Sequence, residues 1–114
     1  MDVNVLSTEK HEVKQLFNIQ KEAFQEDSNK YQDYETRPVT EAYEDFLYKI
    51  NHTQHYTIYY NNQIIGGLNI IKISPWHCRV YQFSLKPSFQ NKGYGTEIIK
   101  LIEKLHEGTT VWSL

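Results

Sequence analysis

The residue types and spacings best suited to chemistry lie in the run Phe83-Ser84-Leu85-Lys86-Pro87-Ser88-Phe89-Gln90-Asn91-Lys92-Gly93-Tyr94-Gly95, followed by Thr96. A strand-like segment runs into a proline-containing loop, and the loop runs into a segment of helical spacing whose first turn holds Gly93 and Gly95. A helix start leaves its first backbone N–H groups unpaired and carries partial positive charge. Phosphate is a natural partner for such a site. Without a Cβ, the glycines let a diphosphate approach the backbone closely. Lys92 and Lys86 add mobile positive charge, and Gln90 can close the loop with side-chain hydrogen bonds. Gly-x-Gly ahead of a helix also serves ordinary tight turns, so the pattern by itself leaves both uses open.

Other reactive residue types are scattered. Tyr81 and Phe83 alternate with Arg79 on one strand face, where Tyr81 fits either an acceptor cleft or the core. His77, near the start of the same strand, can relay a proton or stand as a strand-end surface histidine. His52 and His55 are three apart, a spacing compatible with metal ligation on a helix. They fall at a helix-to-strand junction with no third ligand, and no metal is expected. Cys78 is the lone cysteine; it has no evident activating base and reads as a packed thiol. The run from Glu26 to Glu35 is acidic and carries tyrosines. It is either a solvated loop or, through Asp33 or Glu35, an attraction for a cationic amine.

Positioning these groups falls to alternating α and β segments. Val3 to Leu6 predicts a strand. Ser7 or Thr8 caps a helix to about Gln25, with Val13, Leu16, Phe17, Gln20 and Phe24 on one stripe. Residues 26–37 read as a loop. Pro38 and Thr40 open a second helix whose Val39, Ala42, Tyr43, Phe46, Leu47 and Ile50 form a face of 3.6-residue period. His55 to Tyr60 is strand-like, and Asn61-Asn62 is a two-residue turn because Asn tolerates positive φ. Gln63 to Ile73 returns, with Gly66-Gly67 marking a bulge or a close backbone approach. His77 to Leu85 is a further strand. The last helix, about Gly93 to Glu107, turns Tyr94, Ile98, Ile99, Leu101, Ile102 and Leu105 inward and ends at Gly108 as C′ residue. Thr109 to Leu114 reads as a final strand.

The stretch Gln90-Asn91-Lys92-Gly93-Tyr94-Gly95 resembles the Gln/Arg-x-x-Gly-x-Gly/Ala signature of the GNAT N-acetyltransferase superfamily. Leu85-Lys86-Pro87 resembles the hydrophobic-x-Pro that commonly precedes it. The order of elements resembles that fold along essentially the whole chain; the motif itself covers about a dozen residues. The resemblance implies an α/β fold with a central mixed, mostly antiparallel sheet flanked by helices, and acetyl-CoA as co-substrate. It implies that amides around Gln90, Asn91, Lys92, Gly93, Tyr94, Gly95 and Thr96 hold the pyrophosphate. It also implies that the backbone of Phe83, Ser84 and Leu85 pairs with the pantetheine arm. The acceptor it implies is a primary amine of a small molecule or peptide, with Tyr81 and His77 as the candidate catalytic side chains. Many members carry Glu six residues before the position of Leu85; here that residue is Arg79, which stays protonated and cannot act as a base. Members usually continue with another helix, which often supplies a Tyr for the leaving thiolate, and two more strands. A lost acid or base lowers a rate by about 10²–10⁴-fold, whereas orientation and polarising amides survive such a loss.

With 114 residues, 39% apolar and 14% aromatic, the chain suits one domain, residues 1–114, with a modest core. A net charge of -2 lacks the basic footprint of a nucleic-acid binder. No apolar run is long enough to span a membrane, and the N-terminus has no secretory pattern. With a single cysteine, these features predict a cytoplasmic protein. The apolar last strand, with Val111, Trp112 and Leu114, has nothing after it to cover its edge and predicts an edge-paired homodimer. Three readings follow: an N-acetyltransferase, a non-catalytic acyl-CoA-binding module or truncated remnant, and an α/β domain whose glycines serve only the turn.

Overall fold

The computed structural model describes residues 3–31 and 42–113, with side chains for 3–23 and 42–113. The elements run β1 (Val3–Ser7), α1 (Val13–Tyr31), α2 (Tyr43–His52), β2 (Gln54–Tyr60), β3 (Gln63–Ser74), β4 (His77–Leu85), α3 (Tyr94–Leu105) and β5 (Val111–Ser113). The strands form one five-stranded sheet in sequence order. Its first three pairings are antiparallel, while β4 and β5 pair parallel.

Helices cover both faces. On one face, Ile98 and Ile102 of α3 are fully buried against Val3, Ile58, Ile65, Leu68, Ile70 and Cys78. Each such side chain contributes about 1.5–3 kcal/mol. On the other face, Val13 and Leu16 of α1 and Phe46 of α2 cluster with Ile64.

Local chemistry explains the strand registers. Asn61 and Asn62 hold φ of 49° and 73° in the β2–β3 turn, as their spacing predicts. Gly66 is a close approach: an added Cβ would lie 2.1 Å from the Ser84 carbonyl oxygen. The β2–β3 register shifts beside it, leaving Ile65 without a partner residue. A second shift places Tyr81 as the extra residue of β4, opposite the Asn69–Ile70 step of β3.

Several expectations are corrected. Residues 10–12 form a 3-10 turn before α1, headed by Glu9 rather than by Ser7 or Thr8. Ser7 stays in β1, and the Thr8 hydroxyl is bonded to His55. The backbone of α1 continues to Tyr31, past the expected stop near Gln25, because 26–31 holds neither Gly nor Pro to break it. Ile19, outside the expected stripe, is buried. The second helix starts at Tyr43, with Ala42 as its cap; its expected opening at Pro38 to Thr40, with Val39, lies outside the described residues, as do Asp33 and Glu35. Leu105 is 53% exposed, because α3 ends there. His106 closes the helix with its N–H bonded to Ile102 and Glu103. Gly108 lacks the positive φ of a C′ glycine. The last strand starts at Val111 rather than Thr109, and Leu114 lies outside the described residues.

Candidate functional site

The site is built on the parting of β4 from β5. Their pairing covers His77–Val111, Cys78–Trp112 and Arg79–Ser113. Beyond Arg79 no described strand pairs with the outer edge of β4, although its inner edge stays bonded to β3 as far as Leu85. The backbone from Val80 to Leu85 therefore offers N–H and C=O groups along an open edge. A groove beside it is lined by Phe83 of β4 and by Gly95, Thr96, Ile99, Lys100 and Glu103 of α3.

The loop from β4 to α3 is fixed at both ends. Lys86 N–H donates to the Ile65 carbonyl at 2.8 Å, and Phe89 N–H to that of Lys86 at 2.8 Å. Pro87–Phe89 form a 3-10 turn. Gln90 donates from Nε2 to the Leu85 carbonyl at 2.9 Å. Tyr94 packs between Tyr60 and Phe89, with ring centroids 5.5 Å and 5.6 Å away. The path then needs two left-handed residues, Asn91 at φ 60° and Gly93 at φ 83°.

Gly93 is the N-cap of α3 and gives no side-chain cap, so the first-turn N–H groups keep their donor capacity. A Cβ on Gly95 would face the Phe83 ring at 4.0 Å. Gly95 also lines the groove, so a larger side chain there would stand in it. Bare amides at a dipole's positive end, next to an open strand edge, fit a diphosphate continued by an amide-bearing arm. Lys92 is exposed and Lys86 half-buried. Glu97 is the acidic residue of that turn, so the charge there is mixed.

The structure separates the other candidates. Tyr81 is the bulge residue, 47% exposed, with the Lys49 Nζ 5.4 Å from its ring centroid. His77 lies at the closed end of the β4–β5 pair, its Nε2 3.0 Å from Ser113 Oγ and its ring stacked on Trp76. Arg79 is exposed. Phe83 and Leu85 pack toward α3, whereas Ser84 is buried at 6% and opens on the α1–α2 side. Cys78 is packed, with Sγ 3.2 Å from Thr109 Oγ1. His52 bonds the Tyr48 carbonyl, and His55 turns into the α1–α2 face, where its ring meets Phe46. The two histidines do not meet.

Sequence reasoning missed a buried polar chain between β2 and the segment that leads into α1. Glu12 is 2% exposed and Thr57 fully buried. The Glu12 carboxylate accepts from Thr57 Oγ1 at 2.9 Å and from Glu9 N–H at 2.8 Å. Thr57 Oγ1 lies 2.9 Å from Thr8 Oγ1, and Thr8 Oγ1 lies 2.7 Å from His55 Nδ1. Burial lowers the His55 pKa from 6.5 to about 4, so its ring is neutral at physiological pH. The alternation His55, Thr57, Tyr59 was a signal of a shared face; Glu12 sat on a turn that gave none.

The model of the acetyltransferase (GNAT) family matches residues 13–112. No curated protein sequence matches the chain. A PaiA N-acetyltransferase from Thermoplasma acidophilum, solved with coenzyme A, superposes with a TM-score of 0.73 at 17% identity, over 94% of this chain and 73% of that one. A ribosomal-protein alanine N-acetyltransferase from Escherichia coli gives a TM-score of 0.68 at 10% identity, over 92% of this chain and 59% of its own. An aminoglycoside acetyltransferase from a soil metagenome gives 0.65 at 15% identity, over the whole of this chain and 80% of its own.

Proposed function

This chain belongs to the acetyltransferase (GNAT) family, and we propose that it binds acetyl-CoA and transfers the acetyl group to a primary amine of a small molecule or peptide. The observation that carries the reading is the parting of β4 from β5 after Arg79, beside a groove that leads to the start of α3. First-turn amides of α3, with the loop from Gln90 to Gly93, would hold the pyrophosphate. The open edge of Phe83 to Leu85 would pair with the pantetheine arm. The thioester supplies an activated acetyl carbon, and a backbone N–H of β4 polarises its carbonyl. Tyr81 and Lys49 border the place where the acceptor would stand.

The second reading, an acyl-CoA-binding module without turnover, is favoured by the exposed Arg79 at the position of the usual carboxylate. Calorimetry with acetyl-CoA, followed by thiol release with spermidine, tyramine and alanine amide as acceptors, separates the two. Binding with turnover supports the enzyme; binding without turnover leaves the module. Edge-paired dimerisation draws less support. Val111 is 40% exposed, but Trp112 packs on His106 at 5.8 Å. Light scattering of a monomer at high concentration would remove that idea.

A further inference from the structure

A small crevice lies on the α1–α2 face of the sheet, bounded by β2, β3 and β4. Gln20, His55, Gly67, Gln82 and Ser84, with Leu16 and Phe46, line this crevice of about 10 Å³, room for about one water. Its position follows from the sheet. His55 on β2, Asn69 on β3 and Gln82 on β4 stand in one row across the strands, and Gly67 pairs with Ser84. Because Gly67 has no side chain, the imidazole of His55 lies over it. A Cβ there would sit 3.0 Å from His55 Cε1 and 3.6 Å from Nε2. The ring edge thereby faces β4, on the strand that carries the open cofactor edge.

The proton order of the buried chain is fixed by its end. A carboxylate only accepts, so the Thr57 hydroxyl donates to Glu12. Thr8 then donates to Thr57, and His55 donates from Nδ1–H to Thr8. That leaves Nε2 as a bare lone pair at the crevice. Asn69, in the same row, is 1% exposed; its Nδ2 donates to Thr53 Oγ1 at 2.6 Å, and its Oδ1 makes no hydrogen bond among the described residues. A buried acceptor costs about 1–3 kcal/mol when left unmade.

We infer that His55, oriented by the Glu12–Thr57–Thr8 chain, takes up the proton shed by the acceptor amine, through one water held in the crevice between His55 Nε2, Gln82 and Ser84. The inference rests on the acetyltransferase reading above and assigns a base on β2 where Arg79 supplies none on β4. In the step, the amine nitrogen bonds to the acetyl carbon and the carbon–sulfur bond breaks, its electron pair leaving with the thiolate. The nitrogen's proton passes to the water, and a water proton passes to Nε2. Burial disfavours the imidazolium, so Nε2 holds the proton only in passing and returns it to solvent, while Glu12 and the two hydroxyls hold the Nδ1–H tautomer. Glu12, ahead of α1, is linked to the ring through Thr57 and Thr8, and Lys49 of α2 reaches Gln82 Oε1 at 3.5 Å. From β3, Gly67 lies against the ring and Asn69 is the partner residue of His55.

Two measurements test this. Long-range ¹H–¹⁵N spectra of the protein labelled at histidine should show His55 with a protonated Nδ1 and a bare Nε2, and Thr8→Val should scramble that tautomer. A protonated Nε2 in the wild type overturns the inference. In steady-state assays with spermidine, tyramine and alanine amide, His55→Gln and Thr8→Val should lower kcat for the best acceptor by about 10–100-fold, with acetyl-CoA affinity unchanged. Unchanged kcat in both, with wild-type turnover intact, overturns this inference alone. Absence of acetyl-CoA binding in the wild type overturns the parent reading and this one with it.

Discussion

Gln90 donates its side-chain amide to the backbone carbonyl of Leu85 at 2.9 Å, tying the α3 entry loop to the end of β4. The strand edge and the helix start are thereby held in one register by partners five positions apart in the sequence. Replacing Gln90 with Ala removes one partly buried hydrogen bond, worth about 1 kcal/mol. Acetyl-CoA affinity should fall about 5-fold, as read by calorimetry. Equal affinity in the variant would mean that the loop holds its shape without this bond.

Gly66 and Gly93 should respond differently to alanine. A Cβ at Gly66 meets the Ser84 carbonyl oxygen at 2.1 Å, which the sheet can relieve only by breaking register. Gly66→Ala should cost about 3 kcal/mol or more. A Cβ at Gly93 meets nothing within 4 Å, so the cost there is only that of φ 83°, about 1–2 kcal/mol. Urea unfolding of both variants checks the order; a milder effect at Gly66 than at Gly93 would contradict the close approach.

His55 gives a pH dependence of known sign. Its folded pKa is lowered to about 4 by burial, against 6.5 when unfolded. Above pH 6.5 the ring is neutral in both states, and its full contribution is present. As pH falls toward 4, the unfolded chain binds a proton that the folded one refuses, so stability is lost. Across that gap, at about 1.4 kcal/mol per pH unit, the loss is about 3 kcal/mol. Between pH 7.5 and pH 5, the wild type should lose about 2 kcal/mol more than His55→Gln. Parallel losses in the two proteins would place His55 in contact with solvent.

Tyr56 and His106 form a second neutral pair, O to Nε2 at 2.8 Å. Burial, then Cys78, raises the Tyr56 pKa, while burial, then Lys72, lowers that of His106. The hydroxyl thus donates to the imidazole and fastens the end of α3 to β2. Tyr56→Phe should cost about 1 kcal/mol without touching cofactor affinity, because this pair lies at the far end of α3 from its glycines. A thermal melt within error of wild type would show that the bond adds nothing.

Much of this arrangement was legible in the residues. The Asn61-Asn62 turn, the bounds of β4 and the glycines at the start of α3 are local signals, each set by φ preference or periodicity. The Gln90 closure could be read because donor and acceptor lie on one short loop. What escaped was non-local. The Thr8 hydroxyl reads as a helix cap from its neighbours, yet strand pairing carries it to His55, 47 residues away. The three-residue spacing of His52 and His55 says nothing of where the rings go; β alternation turns His55 inward while His52 remains on its helix. Leu105 fits the apolar stripe of α3, but the helix ends before the sheet can cover it.

The most direct test of the central claim is calorimetric titration of the protein with acetyl-CoA, beside Gly95→Trp. A Cβ at position 95 meets only Phe83, at 4.0 Å, so the indole would fill the groove without disturbing the core. The account predicts micromolar binding by the wild type, about 8 kcal/mol, and none by the variant at equal thermal stability. Equal binding by both proteins, or none by the wild type at millimolar cofactor, would contradict it.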